Sequence, residues 1–374
     1  MTGRLKAAQA TGDHWGTAAK ACLAGVEPLP EGSNVGFLYV TEGFAEDLSS
    51  IVTFLKETSG ISDWLGAAGY GVFGPQGEVR SSPALALMVG RLADGAARPF
   101  DGFDPAERSA FLARHAQWLA DQDTVAAVVH GDPKASGIEA MVGGLADTAQ
   151  AFLVGGLTAA ANGPMQVCRR VTAGGLSGAL LGDRVRLATG LTQGCSPIGR
   201  LRTVTEAVDN VVMRLDGQPA LDLLKHDAGD IIARDLKRAA GFIHVALPVE
   251  GSDSHDYVVR SLLAIDPERG WLAVGQKVAA GDRLMFVRRD PNTAQKDMRR
   301  MLTGLAKRVG DRRIEGGLYF SCVARGAHMF GYDGREIGMI HEVLGDFPLV
   351  GFAAAGEICR DRLYGFTGVL TLFL

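Results

Sequence analysis

The sequence predicts an α/β (α+β) protein made of repeated strand–helix–strand–strand units, forming mixed sheets covered by helices. Two observations predict it. An apolar stretch punctuated by glycine occurs three times: LGAAGYGVFG at Leu65–Gly74, FLVGGLTA at Phe152–Ala159 and LVGFAAAGE at Leu349–Glu357. Each copy follows a β-like run at nearly the same distance (35 to 65, 125 to 153, 318 to 349), and a further apolar run begins near 84, 176 and 368. The 50 glycines lie between apolar runs, which predicts many turns and close backbone approaches. A strand–helix–strand crossover implies a parallel pair, whereas the last strand of a unit can return antiparallel. Mixed sheets follow, stacked between helices as an αββα layering, with the glycine strands facing a shared cleft.

The elements run in order as follows. Residues 13–24 read as a helix capped by Asp13 and ended before Pro28 and Pro30. VGFLYV at Val35–Val40 is a buried strand; Phe44, Leu48, Ile51, Val52 and Leu55 then recur at helical spacing, and Ala84–Val89 is another strand. Residues 92–108 read as a surface connection. The second unit has strands at Val125–Val129 and Leu176–Leu181, with a helix marked by Ile138, Met141, Val142 and Leu145. The third has strands at Leu318–Val323 and Thr367–Leu374, with a helix marked by Ile337, Ile340, Leu344 and Phe347.

Residues 184–310 break the pattern. Strands are expected at Arg184–Leu191, Val211–Leu215, Phe242–Leu247, Tyr257–Ile265, Trp271–Val278 and Arg283–Val287, with a tight turn at Thr192–Gly199. Pro219 and Pro291 each suit the first turn of a helix. The chain therefore divides into 1–187, holding two units, and 188–374, holding an insertion over 200–310 and the third unit.

Composition narrows the function. Over 374 residues, 47% hydrophobic and 21% charged is a normal soluble balance, and the length allows two or three domains. A net charge of −4 gives no general attraction to nucleic acid or anionic lipid. There is no apolar run of about 18 residues to cross a membrane, and the N-terminus lacks a signal-peptide core. The five cysteines (Cys22, Cys168, Cys195, Cys322, Cys359) form no CxxC pair. A reduced, cytoplasmic protein without disulfides or a structural zinc site is expected.

Several motifs fail on context. GYGVFG (Gly69, Gly71, Gly74) is a formal GxGxxG, but Pro75-Gln76-Gly77 and a strand follow, so no helix N-terminus is there for a pyrophosphate. Gly175–Ala179 misses the last glycine of GxSxG, and His130–Gly137 lacks the GK[ST] of a phosphate loop. Cys195, in GCSPIG, is either a thiol on a turn of converging N–H groups or a small residue at a tight bend. Cys322 reads as a small hydrophobe. The eight histidines form no HxxxH or HxH pair. His244 lies in an apolar strand; His328, in RGAHMFG, is placed to reach a cleft. Glu357 closes the third glycine strand, either to accept hydrogen bonds from a ligand amine or as a turn carboxylate in water. No acid–base or nucleophile–base set emerges, so the residues describe a binder more than an enzyme.

Longer motifs carry a resemblance. Thr192–Leu224, Ser321–Gly331, Phe347–Ile358 and Leu363–Leu374 together resemble the FIST family, with its FIST N and FIST C domains. The resemblance spans nearly the whole chain and is strongest in its C-terminal half. Its motifs fall on Gly194, Cys195, Ser196, Pro197 and Gly199; on Asp216, Gly217, Pro219 and Ala220; on Ser321, Cys322, Arg325 and Gly326; and on Gly351, Phe352, Gly356, Glu357 and Ile358. Where many relatives carry a histidine before the last GFT, this chain has Tyr364.

The resemblance implies a sensory module that binds a small ligand, with amino acids proposed, and signals through a separate protein. It implies a site drawn from Cys195, Ser196, Arg325, Gly326, His328, Gly351, Phe352, Gly356 and Glu357. Arg325 would take a carboxylate in bidentate fashion and Glu357 an ammonium. Some members are linked to haem and nitric oxide, so the alternatives are a haem-binding gas sensor using His328 or His244, or a thiol-dependent enzyme using Cys195. Outside the haem alternative no cofactor is implied, and no metal.

Overall fold

The repeated unit in the computed structural model, which describes residues 5–160, 165–229, 242–249 and 256–374, is larger than the sequence spacing indicates. Each copy opens with an edge strand: Leu5–Thr11, Ala97–Phe103 or Leu187–Gln193. A helix follows: Trp15–Val26, Arg108–Asp121 or Pro291–Val309. A central strand comes next: Val35–Thr41, Thr124–Gly131 or Gly316–Cys322. The second helix is Leu48–Ser59, Ile138–Ala149 or Arg335–Leu344. It leads to the glycine strand: Asp63–Gly69, Phe152–Leu157 or Leu349–Ala354. A short hairpin starting at Val72, Gln166 or Glu357 follows. The closing strand is Ala84–Gly90, Leu176–Gly182 or Thr367–Phe373.

Each copy builds one six-stranded mixed sheet. The central strand pairs in parallel with the glycine strand and antiparallel with the closing strand on its other side. The hairpin does not stay at home. The hairpin of the first copy pairs with the glycine strand of the third, that of the second with the first, and that of the third with the second.

Burial follows the strand period of two. In the first sheet Leu38, Val40, Leu85 and Leu87 pack under helix residues such as Ala19, Leu23, Ile51 and Leu55. The alternate residues face the other sheets: Phe37 meets Phe373, and Tyr39 meets Phe320. Helices lie outside and sheets inside, with three sheets where two stacked layers were expected.

Glycine is required where the central and glycine strands pair. A Cβ at Gly66, Gly155 or Gly351 would fall inside the carbonyl oxygen of the partner residue Leu38, Val129 or Tyr319. The recurring glycines therefore serve close backbone approach. Their strands are buried rather than open to a cleft.

Contact density divides the chain into two compact units: Met1–Gln193 with Asp297–Leu374, and Gly194–Lys296. The second unit is inserted between the edge strand and first helix of the third copy. Its described strands pair antiparallel throughout. Arg283–Arg289 pairs with Arg202–Val208 on one side and Ile243–Pro248 on the other, closing a ring. Closure removes exposed edges. Helix Ala220–Ala228 contributes Leu221 and Leu224 to its core. Within the first unit the ends flanking the insertion are tied: Asp297 Oδ2 accepts from the Thr192 hydroxyl at 3.0 Å and from Gln193 N at 2.6 Å.

Several local expectations differ. His14, not Asp13, caps the first helix, its Nδ1 accepting from Gly16 N. Residues 92–108 contain the edge strand Ala97–Phe103, with Phe100 and Phe103 buried; proline and glycine are tolerated because the strand is an edge. The expected turn Thr192–Gly199 contains the short strand Cys195–Pro197.

A Gly351→Ala variant is expected to lose more than about 3 kcal/mol or fail to fold, because backbone must move to admit the methyl. Gly304→Ala, in a partly exposed helical position with nothing within 4 Å of the new Cβ, should be neutral or gain up to about 1 kcal/mol. Urea unfolding of the two variants measures the contrast.

Candidate functional site

The three copies meet at one aromatic cluster. Tyr39, His130 and Phe320 each follow the residue whose carbonyl crowds the glycine of its own copy (Gly66, Gly155 or Gly351), so they occupy equivalent places. Their ring centroids lie 5.6 Å (Tyr39–His130), 6.1 Å (Tyr39–Phe320) and 6.1 Å (His130–Phe320) apart. Phe352 stacks on Tyr39 at 5.2 Å. Such pairs contribute about 0.5–1.5 kcal/mol each beyond their buried area.

This cluster is partly polar. The Tyr39 hydroxyl and His130 Nε2 are 3.2 Å apart, and His130 Nδ1 has no hydrogen bond. Burial pushes His130 down to about 3, so the ring is neutral near pH 7. In the second sheet Glu357, Gly156, His130 and Ser177 form one row across four strands. The Ser177 hydroxyl donates to Gln166 Oε1 at 2.6 Å. Gln166 and Glu357 are themselves equivalent, each starting the hairpin that pairs beyond a glycine strand.

Glu357 is fully buried. Its Oε2 accepts from Thr367 N at 3.1 Å and from the Thr367 hydroxyl at 2.7 Å, while Oε1 makes no hydrogen bond of ordinary geometry. Burial raises its carboxyl to about 8, opposed by the Thr367 hydrogen bonds and more weakly by Arg325 and the Cys322 thiol. It is a buried acid that holds its proton near neutral pH, not a turn carboxylate in water. Burial likewise pushes the Cys322 thiol up to about 12.

Arg325 is 1% exposed and is committed to Glu336, which is 2% exposed. Its Nε and Nη2 donate to Glu336 Oε1 at 2.9 and 2.7 Å, and Nη1 donates to Phe366 O at 3.4 Å. The Tyr319 and Ser321 hydroxyls also donate to this carboxylate, at 2.6 and 3.0 Å. Burial disfavours the charged guanidinium, but Glu336 and its neighbours outweigh this and the net shift is upward. From outside, Arg80 of the first hairpin's exit donates to the carbonyls of Val323 and Arg325, and Glu78 Oε2 accepts from Gly334 N. Arg325 and Gly326 thus sit in a loop clamped on both sides. His328 lies on a short helix, Ala327–Phe330, exposed, with Nε2 3.0 Å from Ala324 O.

The remaining sequence candidates belong to the inserted unit. Cys195 is buried in a strand paired with Arg289, and the Tyr257 hydroxyl donates to its carbonyl at 2.5 Å. Ser196 is partly exposed beside it. Gly199 leaves room for the Asp227 carboxylate, which pairs with Arg202. His244 is buried in the strand Ile243–Pro248, and burial pushes it down to about 4.

The first unit also holds ligand-sized cavities that sequence reading did not place. A groove of about 490 Å³ is lined by Val125, Phe152 and Leu187 together with Asp183, Arg186, Arg308 and Arg312. A second cavity, of about 440 Å³, shares Arg312 and includes Val309, Glu315 and Phe347. Both lie toward the amino-terminal ends of the central strands. The loops and exchanged hairpins occupy the carboxyl ends, where open α/β sheets usually bind ligands. The one signal in the sequence was the basic end of the helix Pro291–Val309.

Comparison with known proteins places the chain. The FIST N domain model matches residues 34–218 and the FIST C domain model residues 220–360. The chain belongs to the FIST family. FIST domains are associated with sensory signal transduction. Among relatives, two uncharacterized proteins of Mycobacterium tuberculosis and one of Mycobacterium bovis are each 35% identical over 198 residues, covering 49% of this chain and 50% of theirs. The chain spans about half the length of the curated relatives it matches. The junction between the two FIST models falls inside the inserted unit, so the sequence division and the compact units do not coincide. Of the FIST motif residues, Gly351 admits the central strand, Phe352 fills the aromatic cluster, and Asp216 and Gly217 form a left-handed turn before helix Ala220–Ala228. No described helix is long and apolar enough to cross a membrane.

Two outcomes follow. Arg325→Ala leaves Glu336 buried without its partner and should cost about 3–5 kcal/mol in urea unfolding. For Glu357 the folded state keeps the proton up to about pH 8, whereas the unfolded state releases it near 4.5, the ordinary value of a glutamate carboxyl. Stability therefore falls by about 1.4 kcal/mol per pH unit across that window as pH rises. Glu357→Gln removes this slope, so unfolding curves at pH 5.5 and 8.5 should show the variant gaining roughly 3 kcal/mol relative to wild type at the higher pH.

Proposed function

We propose that this protein is a cytoplasmic sensory module that binds a small ligand, an amino acid or similar metabolite, and passes its state to a separate signalling partner. The observation that carries this reading is the groove of about 490 Å³ in the first unit. Its volume lies in the range of small-ligand sites, and it combines apolar lining residues with a few charged groups. Guanidinium groups suit a carboxylate and Asp183 suits an ammonium. The buried contacts of Arg325 and Glu357 fit the same reading as supports: they fix the loops and hairpins of the first unit without themselves meeting a ligand from solvent.

The test is a thermal-shift screen of the full chain against amino acids and common metabolites. A ligand at 100 times its dissociation constant adds about 2.7 kcal/mol of stability, which raises the melting temperature by several degrees. A flat screen across amino acids and central metabolites would sink the reading.

A further inference from the structure

The same groove carries a narrower inference, which rests on its being the ligand site. We infer that it binds a small dianion, a dicarboxylate or a phosphate monoester, through Arg186, Arg308 and Arg312.

Uncompensated charge is the first reason. Many of the arginines elsewhere pair with carboxylates: Arg325 with Glu336, Arg335 with Glu342, Arg169 with Asp63, Arg170 with Asp101, Arg202 with Asp227. Among the described residues Arg186, Arg308 and Arg312 have no carboxylate in ion-pair reach, although the chain as a whole carries a net charge of −4. Three positive charges face the single Asp183 across one groove. A ligand with two negative charges balances that set.

Preorganisation is the second. Arg308 Nη2 donates to Thr189 O at 2.7 Å, and Arg312 Nε donates to Val309 O at 2.9 Å. A second Arg312 nitrogen donates to Arg308 O. Carbonyls steer these guanidiniums without neutralising them. Capping the end of helix Pro291–Val309 accounts for part of this, but a guanidinium has five N–H donors, and capping leaves several free. Arg186 is not on that helix. It comes from the connection after the closing strand Leu176–Gly182; its carbonyl accepts from Leu374 N at 3.0 Å, while its guanidinium makes no hydrogen bond among the described residues. Two separate chain segments therefore deliver cations to one groove.

The experiment uses the full chain and its Arg186→Gln/Arg308→Gln double variant. Both side chains are exposed, so the unliganded melting temperature should not change. Succinate and glycerol 3-phosphate are titrated by calorimetry, with sodium chloride at matched ionic strength as control. Saturable binding of either dianion, weakened at least tenfold in the double variant, is the expected result; the tighter of the two names the source of the charge. Equal dianion binding by wild type and variant, or no binding of either, overturns the inference. Amino acids that stabilise wild type and variant alike would leave the sensory reading standing and remove this groove from it.

Discussion

At Gly66, Gly155 and Gly351 the glycine strand lies so close to the central strand that a Cβ would overlap a carbonyl oxygen. That contact sets the rest of the first unit. It fixes the parallel register, and with it the faces on which every later residue of the strand falls. The next residues, Tyr39, His130 and Phe320, are thereby turned inward to meet one another, while their neighbours turn outward under the helices. A methyl group at any of the three glycines would disturb both layers at once.

The exchanged hairpins convert three similar units into one body. Each glycine strand would be a sheet edge if its own copy stood alone; a hairpin from another copy covers it. Edge protection in this way makes every copy depend on another. It also places hairpin residues of one copy among the inner residues of another. Glu357 thereby reaches the row of Gly156 and His130, and Glu78 and Arg80 reach the loop that holds Arg325. The polar interior is a product of the exchange. Some members are satisfied across copies, as in the Tyr39–His130 pair and the Arg80 contacts to the Val323 and Arg325 carbonyls, whereas Gln166–Ser177 and Glu357–Thr367 each pair within one copy.

Charge is managed in two ways in the same unit. Buried ions are paired and surrounded by donors, as at Arg325 and Glu336, because an isolated charge there would be too costly. Glu357 has no such partner in contact and stays protonated instead. At the groove the opposite holds: exposed guanidiniums are held by carbonyls and left without carboxylates. The motif residues that make the family recognisable mostly keep the backbone in place, whereas the groove residues Arg186, Arg308 and Arg312 lie outside those motifs.

The sequence by itself determined the threefold repeat, the mixed α/β class, the helix and strand positions around each glycine strand, and the family. These are legible because they rest on local periodicity and on glycine, whose lack of a side chain marks close approach wherever it recurs. It did not show the edge strands Leu5–Thr11 and Ala97–Phe103, whose alanine, proline and glycine content suits an edge and carries little β signal. The insertion was visible as a break in pattern, but its limits at Gly194 and Lys296 follow from which strands pair, a non-local fact. Only the tertiary structure decided where the hairpins pair, that Glu336 neutralises Arg325, that Glu357 is dry, and that arginines from residues 186 and 308–312 share one groove. Each depends on partners more than ten residues away, and no local pattern of side chains encodes which distant charge or strand will arrive.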